Sequence, residues 1–554
     1  MAEPIGHVVF VLHTHLPWVL GHGRWPHGED WLYEAAAECY LPLLRMLGHL
    51  EADRDQARLT VGITPILAEM LASPRFREGF EAYLDAKQVL ADQDTARLRS
   101  DDGATLAAMW SDFYGTAKRD FLTTFSADLI AAFRDLQDRG RIEILTSAAT
   151  HGYLPLLGRD ESIEGQIRVG IASYDRHFRR APRGIWLPEC AYRPGSTWSR
   201  PVGPARAWSR PGIEMFLARH RLRYFFVDTH LVAGGVPIGS YDDCFEEPRL
   251  EAASPRSGLS PNDAHAVSAG RRHIAVLARD PRSSVQVWSA DYGYPGDGAY
   301  LEFHRKRGQG GLRYWRITDR RLPLDAKMPY DPAVAEERVR EHAAHFADLL
   351  RETLRGHFDR TGRRGVVVAP FDTELFGHWW FEGPRWLEAV LRNLETDVRA
   401  ITASEFLESH PPRSIVTLRE GSWGQGGHHW VWLNDDTKWV WERVYRAEDE
   451  FLEVTSIHRR SRSPLVRRIL AQLARELLLL ESSDWPFLIT TRSARDYAEA
   501  RVKEHIAAFD RLRTMLGRAK DGSSAPDDGP WLAEMEKRDS PFPKLDPGSW
   551  TLKR

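Results

Sequence analysis

The sequence predicts an α/β fold built on a parallel sheet, in the form of a barrel, and two observations support this. Short runs rich in Val, Ile, Phe and Leu recur along the chain up to about residue 371, and most end abruptly in polar residues, as strands do. Helical stretches with an apolar spacing near 3.6 lie between most of these runs. Strands that alternate with helices form parallel sheets with the helices on their faces.

Seven strands are predicted, at residues 7–13, 59–64, 142–147, 184–189, 224–229, 274–279 and 365–371. The clearest helical stretches between them run over residues 31–50, 121–139, 163–178 and 213–221. An open, doubly wound sheet is the alternative architecture. We favour the barrel because polar residues follow nearly every strand, whereas a doubly wound sheet concentrates them at its switch point.

Titratable side chains stand at the carboxyl ends of these strands. They include His13 and His15 after the first strand, His151 after the third, Glu189 after the fourth and Asp372 after the last. Unpaired charge is costly inside a core, and the active sites of α/β barrels lie at the carboxyl ends of the strands. The pattern therefore predicts a polar pocket at the mouth of the sheet.

The organisation of the chain departs from a minimal βα repeat in several places. The strand pattern stops after about residue 405, and helices at roughly 435–457, 463–482 and 492–518 predict a separate helical domain. We expect five regions: a sheet domain at 1–404, which contains a helical insertion at 66–141 and a Gly/Pro/Ser-rich excursion at 231–270, then a helical domain at 405–519 and a loosely attached polar tail at 520–554.

Composition excludes several classes of protein. Hydrophobic residues make up 42% of the 554 residues and the formal net charge is -3, so the chain can bury a large core and has no strong field for nucleic acid or anionic lipid. Three cysteines, Cys39, Cys190 and Cys244, are too few for a disulfide framework, which favours the cytoplasm. We find no export signal and no apolar stretch of the ~20 residues that a bilayer requires. We expect a monomer, with an oligomer as the alternative.

The segment from Ile185 to Tyr192 places Glu189 at the end of an apolar strand, next to Pro188 and between aromatic residues. A carboxylate in that position can act as a nucleophile or as an acid/base. The alternative is a structural role, in which Glu189 caps a helix or pairs with a nearby arginine such as Arg193.

The segment from Val366 to Trp380 offers two carboxylates, Asp372 and Glu374, at i and i+2, hence on one strand face. Either could partner Glu189. Glycoside cleavage through a covalent intermediate needs two carboxyl groups about 5 to 5.5 Å apart, one ionised and one protonated. The alternative is an acid held by nearby arginines, and residue type does not choose between Asp372 and Glu374.

His13 and His15 share one face of the first strand. We favour a role as hydrogen-bond partners for sugar hydroxyls, and rank a structural role second. A metal site, of which these two residues would be half, ranks third, because the sequence has no compact companion motif such as His-Glu-x-x-His. Asp484, in Ser482-Ser483-Asp484-Trp485-Pro486, fits an N-cap or a substrate contact equally well.

Aromatic residues are numerous, with 20 Trp, 16 Tyr and 23 Phe, and many Trp lie beside Gly, Pro and His. Residues 421–432 combine several glycines with Trp423, Trp430 and Trp432. Indole faces stack on the apolar C–H face of a pyranose, and glycine lets the backbone approach a ligand. The alternative is that Trp430 and Trp432 fasten the helical domain to the sheet domain.

Four segments, in this order, resemble the motifs of glycoside hydrolase family 57: His13-Thr14-His15-Leu16-Pro17, Trp186-Leu187-Pro188-Glu189-Cys190, Phe371-Asp372-Thr373-Glu374 and Ser482-Ser483-Asp484-Trp485-Pro486. The likeness runs from about residue 5 to residue 515. It implies a retaining enzyme with an incomplete (β/α)7 barrel in residues 1–404, whose cleft is completed by the all-helical domain. No cofactor and no metal are implied.

The resemblance also assigns roles. Glu189 matches the family's nucleophile and Asp372 its general acid/base. Further residues match positions that contact substrate: His13, His15, His151, Trp25, Trp31, Trp288, Trp423, Trp432, Asp484 and, at the tip of an excursion that could act as a lid, Tyr241.

The function implied is that of the family's 1,4-α-glucan branching enzymes, which the Gly377-His378-Trp379-Trp380 match and the Gly/Trp-rich segment resemble most. Such an enzyme transfers an α-1,4-glucan segment to a 6-hydroxyl of glycogen or a related intracellular polysaccharide. The alternatives are an α-amylase or 4-α-glucanotransferase of the same family, a metal-dependent deacetylase or mannosidase-like enzyme, and a glucan-binding protein without activity.

Overall fold

The protein is described here from a computed structural model that covers residues 3–24, 26–98, 102–204, 206–232, 259–289, 291–308, 311–394, 397–458, 460–520 and 525–552. The strands in this part of the chain are β1 (Gly6–Thr14), β2 (Leu59–Ile63), β3 (Ile142–Leu145), β4 (Gly184–Ile185), β5 (Ser196–Ser199), β6 (Ala207–Arg210), β7 (Tyr224–Val227), β8 (His265–Ala269), β9 (Arg272–Ala278), β10 (Gly365–Asp372) and β11 (Val398–Ala400).

The helices before the last long strand are α1 (Glu29–Ala35), α2 (Leu41–Ala52), α3 (Pro65–Leu71), α4 (Pro74–Arg97), α5 (Asp102–Arg119), α6 (Leu129–Asp138), α7 (Asp160–Phe178), α8 (Ile213–Arg219), α9 (Thr229–Val232), α10 (Pro281–Trp288) and α11 (Pro332–Thr361). After it come α12 (Gly383–Asn393), α13 (Ala403–Ser409), α14 (Lys438–His458), α15 (Pro464–Leu480), α16 (Asp484–Thr491), α17 (Arg495–Lys520) and α18 (Asp528–Arg538).

Seven parallel strands overlap the seven predicted ones, and an eighth, β11, which was not predicted, pairs in parallel with the start of β1. β10, β1, β2 and β3 form one sheet in that order, and β4, β7 and β9 form a second, with antiparallel β8 beside β9. The Trp186 amide donates to the Thr146 carbonyl (2.9 Å) between β3 and β4, and the Asp280 amide donates to the Val368 carbonyl (2.8 Å) between β9 and β10. The α/β prediction with a parallel sheet is confirmed.

Two predicted elements are interrupted. The strand predicted to reach residue 189 ends at Ile185 and is followed by a 3₁₀ turn at Pro188–Cys190, because Pro188 has no N–H for a strand ladder. The helix predicted from 121 to 139 breaks where Ser126 and Ala127 adopt positive φ, and α6 begins anew behind the N-cap Asp128.

The first strand is the centre of the core. All nine residues of β1 are buried, because it pairs with β10 on one side and β2 on the other, and its alternate side chains enter two different apolar clusters, one on each face of the strand. Helices α3 to α6 lie between β2 and β3 in the chain, and α4 and α5 lie side by side. No helix in the described ranges is both long enough and apolar enough to cross a bilayer.

Helices α14 to α17 follow the sheet domain, and the turn between α15 and α16 reaches the carboxyl edge of the strands. There the Ser483 amide donates to the His151 carbonyl (3.1 Å), and Gly152 bridges to Ser482. The Gln166 side chain donates to the buried Glu481 carboxylate (2.8 Å). The helical part of the chain thus contributes backbone and side chains to the mouth of the sheet.

The prediction of a loosely attached tail is wrong. The segment after residue 524 contains α18, and Trp550 is 3% exposed, packed against Gly165 of α7 and edge-on to Phe451 at 4.9 Å. The Asp539 carboxylate bonds to His22 (2.6 Å), on the chain after β1. The prediction relied on the polar composition of the segment. A few buried side chains nevertheless hold it against both the sheet and the preceding helices.

Candidate active site

One cavity of about 630 Å³ opens at the carboxyl ends of the strands and is closed on the far side by the helical part of the chain. It contains all the predicted site residues that the structure describes: His13, His15, Trp31, His151, Glu189, Trp288, Asp372, Trp423, Trp432 and Asp484. Trp25 and Tyr241 lie outside the described residues, as does most of the 231–270 excursion. Tertiary folding therefore brings motifs from the whole chain into one cleft.

The backbone of Glu189 has an unusual conformation. Its φ is 60° and ψ 27°, and Cys190 follows with φ 48°, in the left-handed region that side-chain-bearing residues rarely occupy. Three backbone bonds hold this turn: the amide of Trp423 donates to the Glu189 carbonyl (3.1 Å), Cys190 to Leu187 and Ala191 to Pro188. Such backbone strain persists only where surrounding contacts hold it in place, and it is common at functional sites.

The Glu189 carboxylate receives two hydrogen bonds. The indole Nε1 of Trp423 donates to Oε2 (2.8 Å), and the Ser483 hydroxyl donates to Oε1 (3.1 Å). Burial raises the pKa of Glu189 to about 7, although these two donors and nearby His15 favour the ionised form. Glu189 is therefore an acid that is substantially ionised at neutral pH.

Asp372 is the last residue of β10, in register with His13 of β1. Burial, and then the negative charges of Glu374 and Glu189, raise the pKa of Asp372 well above its ordinary value, and only Arg279 opposes them. Burial and the neighbouring carboxylates thus favour the protonated form of Asp372. A proton donor and an ionised carboxylate share the cleft.

Glu374 lines the cleft, but it lies beyond the end of the strand, so the predicted alternation of strand side chains does not place it there. β10 ends at Asp372, and Glu374 lies in a 3₁₀ turn, Thr373–Leu375. Its Oε1 accepts hydrogen bonds from the Tyr40 hydroxyl (2.7 Å) and the His15 amide (3.3 Å). Burial raises the pKa of Glu374 to about 7. Glu374 is held by protein groups, whereas no protein donor to the Asp372 carboxyl is found in the described residues.

Three histidines stack at the floor of the cleft. The Nε2 atoms of His13 and His151 lie 3.0 Å apart, so one ring donates and the other accepts, as in two neutral imidazoles. Burial, then the charge of His15, lowers the pKa of His13 and of His151 well below the ordinary value. Burial also opposes charge on His15, but the Asp484 carboxylate beside it raises the pKa of His15 above its ordinary value.

Asp484 is not an N-cap, because Ser483 occupies that position and the Asp484 carboxylate instead bonds His15 Nε2 (2.9 Å). His15, His151 and Asp484 have donor atoms within 4.8 Å of one another and could in principle hold a metal ion. The proton that Asp484 stabilises on His15 competes with such a ligand role.

Indole rings form the walls of the cleft. Trp423 stands edge-on to Trp288 (6.4 Å) and to Trp186 (5.0 Å). Trp432 stacks on Tyr153 at 4.5 Å and is almost wholly buried, so it both lines the cavity and fastens the segment to the sheet domain. Trp430, in contrast, is 53% exposed and is not among the residues that line the cleft.

The family profile described as "Glycosyl hydrolase family 57" matches residues 9–419, about three quarters of the chain. The chain belongs to this family. A second profile, described as "1,4-alpha-glucan branching enzyme, C-terminal", matches residues 443–550 and so includes most of the segment expected to be a loose tail. The resemblance drawn from the four motifs is confirmed.

Relatives within family 57 match over nearly the whole chain. The 1,4-alpha-glucan branching enzyme TK1436 of Thermococcus kodakarensis is 44% identical over 97% of this chain and 77% of its own length. The GH57-type branching enzyme of Pyrococcus horikoshii superposes with a TM-score of 0.90 at 39% identity, over 99% of this chain and 97% of that one. The alpha-amylase AmyC of Thermotoga maritima superposes with a TM-score of 0.82 at 32% identity, over 99% of both chains.

Several cleft residues were not selected from the sequence. Arg279 follows β9, lines the cleft, and its positive charge opposes the rise in the pKa of Asp372. The rule that selected Glu189, a polar residue at the end of a strand, applies to Arg279 as well. Ser483 lies inside a family 57 motif, but its bond to Glu189 joins residues 294 positions apart. Trp379 and Phe487 line the cleft and are exposed, which no local pattern reveals.

Proposed function

We propose that this chain is a retaining 1,4-α-glucan branching enzyme, with Glu189 as nucleophile and Asp372 as general acid/base. The observation that carries the proposal is one cleft that holds two carboxyl groups: Glu189, whose carboxylate accepts hydrogen bonds from Trp423 and Ser483, and Asp372, whose pKa is raised well above its ordinary value by burial and by neighbouring carboxylates. The names of the family 57 branching enzymes above, which match the chain nearly end to end, support the substrate class.

In the first step, protonated Asp372 gives its proton to the glycosidic oxygen while a Glu189 oxygen attacks the anomeric carbon. The C–O bond to the leaving chain breaks, and a covalent glucosyl ester to Glu189 forms. The hydrogen-bonded pair His13 and His151, together with His15, supplies donors and acceptors for the hydroxyls of the sugar being cleaved.

In the second step, ionised Asp372 takes the proton of a 6-hydroxyl on another glucan as that oxygen attacks the anomeric carbon. The ester bond to Glu189 breaks, and an α-1,6 linkage forms with retained configuration. Water competes for the same intermediate. Trp31, Trp288 and Trp423 provide apolar faces that hold glucan and exclude water.

We also infer that the seven parallel strands form an incomplete (β/α)7 barrel in residues 1–404, with 405–519 as the helical domain that completes its cleft. The order of the strands supports the barrel, and the hydrogen bond from the Asp280 amide to the Val368 carbonyl between β9 and β10, which are not paired as a ladder, supports its incomplete closure. Cys39 and Cys190 are buried free thiols, which supports a reducing compartment such as the cytoplasm. We also propose that the protein is a monomer.

An α-glucan hydrolase is the second candidate, and the likeness to the Thermotoga maritima alpha-amylase favours it. Incubation with amylose followed by proton NMR separates the two. We expect new α-1,6 anomeric signals with little reducing sugar. Reducing ends without α-1,6 signals would replace branching by hydrolysis, and redistributed linear chains would indicate a 4-α-glucanotransferase.

A further inference from the structure

Trp379 presents a large apolar ring to solvent at the edge of the active-site cleft. Its side chain is 50% exposed, although most tryptophans of this protein are buried. It lines the same cavity as Glu189 and Asp372. An exposed indole in a ligand cleft, unlike a single apolar side chain elsewhere on a surface, offers a ready binding face.

The backbone holds Trp379 in a fixed position relative to the acid/base. The Trp379 amide donates to the Glu374 carbonyl (3.2 Å), and the Gly377 amide donates to the Trp380 carbonyl (2.7 Å). Gly377 has φ +110°, and a Cβ there would lie 1.7 Å from the Glu38 carbonyl oxygen. The loop therefore packs directly on the backbone of Glu38 and Cys39. Trp379 is thus a rigid extension of the strand that carries Asp372.

Phe303 backs the indole. The two rings stack with centroids 4.2 Å apart at 28°, and Phe303 is in turn held edge-on to His378 at 4.9 Å, with the Arg313 guanidinium 5.8 Å from its centroid. One face of Trp379 is therefore covered by protein, and its exposed area belongs to the opposite face and the ring edge. A backed aromatic ring with one open face is the geometry that stacking on a pyranose requires.

The segment that carries Trp379 distinguishes it from the other indoles of the cleft. Trp423 donates a hydrogen bond to Glu189 and contacts Trp288 edge-on, so these two rings are connected to the proposed nucleophile. Trp379 instead follows Asp372 along the chain. In a retaining reaction the donor sugar is bonded to the nucleophile, while the acid/base faces first the leaving chain and then the acceptor.

We propose that Trp379, backed by Phe303, is a binding site for the acceptor glucan, whose glucosyl ring stacks on the open indole face. The inference rests on the proposed branching function and adds the place of the second substrate. The acceptor's O6–H proton passes to Asp372, O6 bonds to the anomeric carbon, and the ester bond to Glu189 breaks. A stacked acceptor also displaces the water that would otherwise hydrolyse the ester.

Trp379→Ala, Trp379→Phe and the control Tyr292→Ala test this site. Tyr292 is 52% exposed and does not line the cleft. Two reactions are measured for each protein: hydrolysis of α-maltosyl fluoride, which reports formation of the ester with water as acceptor, and the ratio of α-1,6 linkages to reducing ends formed from amylose. Thermal unfolding confirms that each variant is folded.

For Trp379→Ala we expect hydrolysis of the fluoride within about twofold of wild type and a roughly tenfold fall in the ratio of linkages to reducing ends, as the loss of one stacked ring predicts. Raising the concentration of added maltohexaose should restore the ratio, because the defect is in acceptor binding. Trp379→Phe should keep most of the transfer, and Tyr292→Ala all of it.

An unchanged ratio in Trp379→Ala, or an equal fall in both reactions, would overturn the acceptor site while leaving the branching proposal intact. A wild-type protein that forms no α-1,6 linkages would overturn the branching proposal and the acceptor site with it. The NMR spectrum of the wild type therefore separates the two failures.

Discussion

The indole N–H of Trp423 donates a 2.8 Å hydrogen bond to Oε2 of Glu189, across 234 positions of sequence. The same tryptophan also donates its backbone amide to the Glu189 carbonyl (3.1 Å). Residue 423 thus supports both the strained backbone of Glu189 and the charge of its carboxylate.

Removing the indole N–H should shift the acid limb of the pH profile. Because Glu189 must be ionised and its pKa is about 7, kcat/KM of the wild type should fall as pH drops through about 7. Trp423→Phe removes a donor that favours the ionised form, so the pKa of Glu189 should rise and the limb should move to higher pH. Initial rates on α-maltosyl fluoride between pH 5 and pH 9 measure it.

The control for that shift is Trp288→Phe, because Trp288 lies edge-on to Trp423 but makes no hydrogen bond to Glu189. Its acid limb should stay in place even if its KM changes. With amylose as donor, whose leaving oxygen needs a proton, the rate of both variants and of wild type should also fall at alkaline pH as Asp372 loses its proton. An acid limb in Trp423→Phe at or below the wild-type position would contradict the role of the indole.

Azide can distinguish the nucleophile from the acid/base, because it replaces each missing carboxylate in a different step. Glu189→Ala and Asp372→Ala should each lower branching of amylose by at least about 10³-fold. With an activated fluoride donor, azide should replace the missing nucleophile in Glu189→Ala and give the inverted β-glycosyl azide. In Asp372→Ala it should intercept the ester and give the retained α-glycosyl azide.

Glu374→Ala is the matched control, because Glu374 lies in the same cleft but its carboxylate accepts hydrogen bonds from Tyr40 and His15. It should show neither rescue. Retained azide from Glu374→Ala, and none from Asp372→Ala, would reverse the assignment of the acid/base.

Chelation should leave activity unchanged. The trio His15, His151 and Asp484 has donor atoms within 4.8 Å of one another, yet the pKa of His15 is raised by Asp484, and a protonated imidazole cannot ligate a metal. We expect equal kcat/KM before and after dialysis against EDTA, checked by metal analysis. Loss of activity that added Zn²⁺ restores would favour the metal-dependent alternative.

The segment after residue 524 should be essential for stability. Trp550→Ala removes a ring that is 3% exposed and packed on Gly165 and Phe451, a change that typically costs about 3 kcal/mol in the free energy of unfolding. Calorimetry should show a clearly lower Tm. Trp430→Ala, which removes a ring that is 53% exposed, should change Tm little; equal Tm values for the two variants would refute the anchor.

Much of the fold followed from local pattern. The apolar runs of β1 and β10 and the polar residues after them placed His13 and Asp372 at one edge, because the carboxyl ends of parallel strands converge. The end of β4 was missed, since the left-handed Glu189 depends on bonds from the distant Trp423. The same holds for Trp550, whose partners lie on α7 and α14.

By itself, the sequence determined the strands, the titratable edge and, through its ordered motifs, the family and the proposed catalytic pair. Only the tertiary structure decided in which direction burial and charge shift the pKa of each acid, which tryptophan donates to Glu189, which one is exposed in the cleft, and that the last residues are anchored. The physical reason is that pKa, exposure and stacking depend on distances through space between groups hundreds of positions apart, whereas strand pattern depends on the alternation of neighbouring side chains.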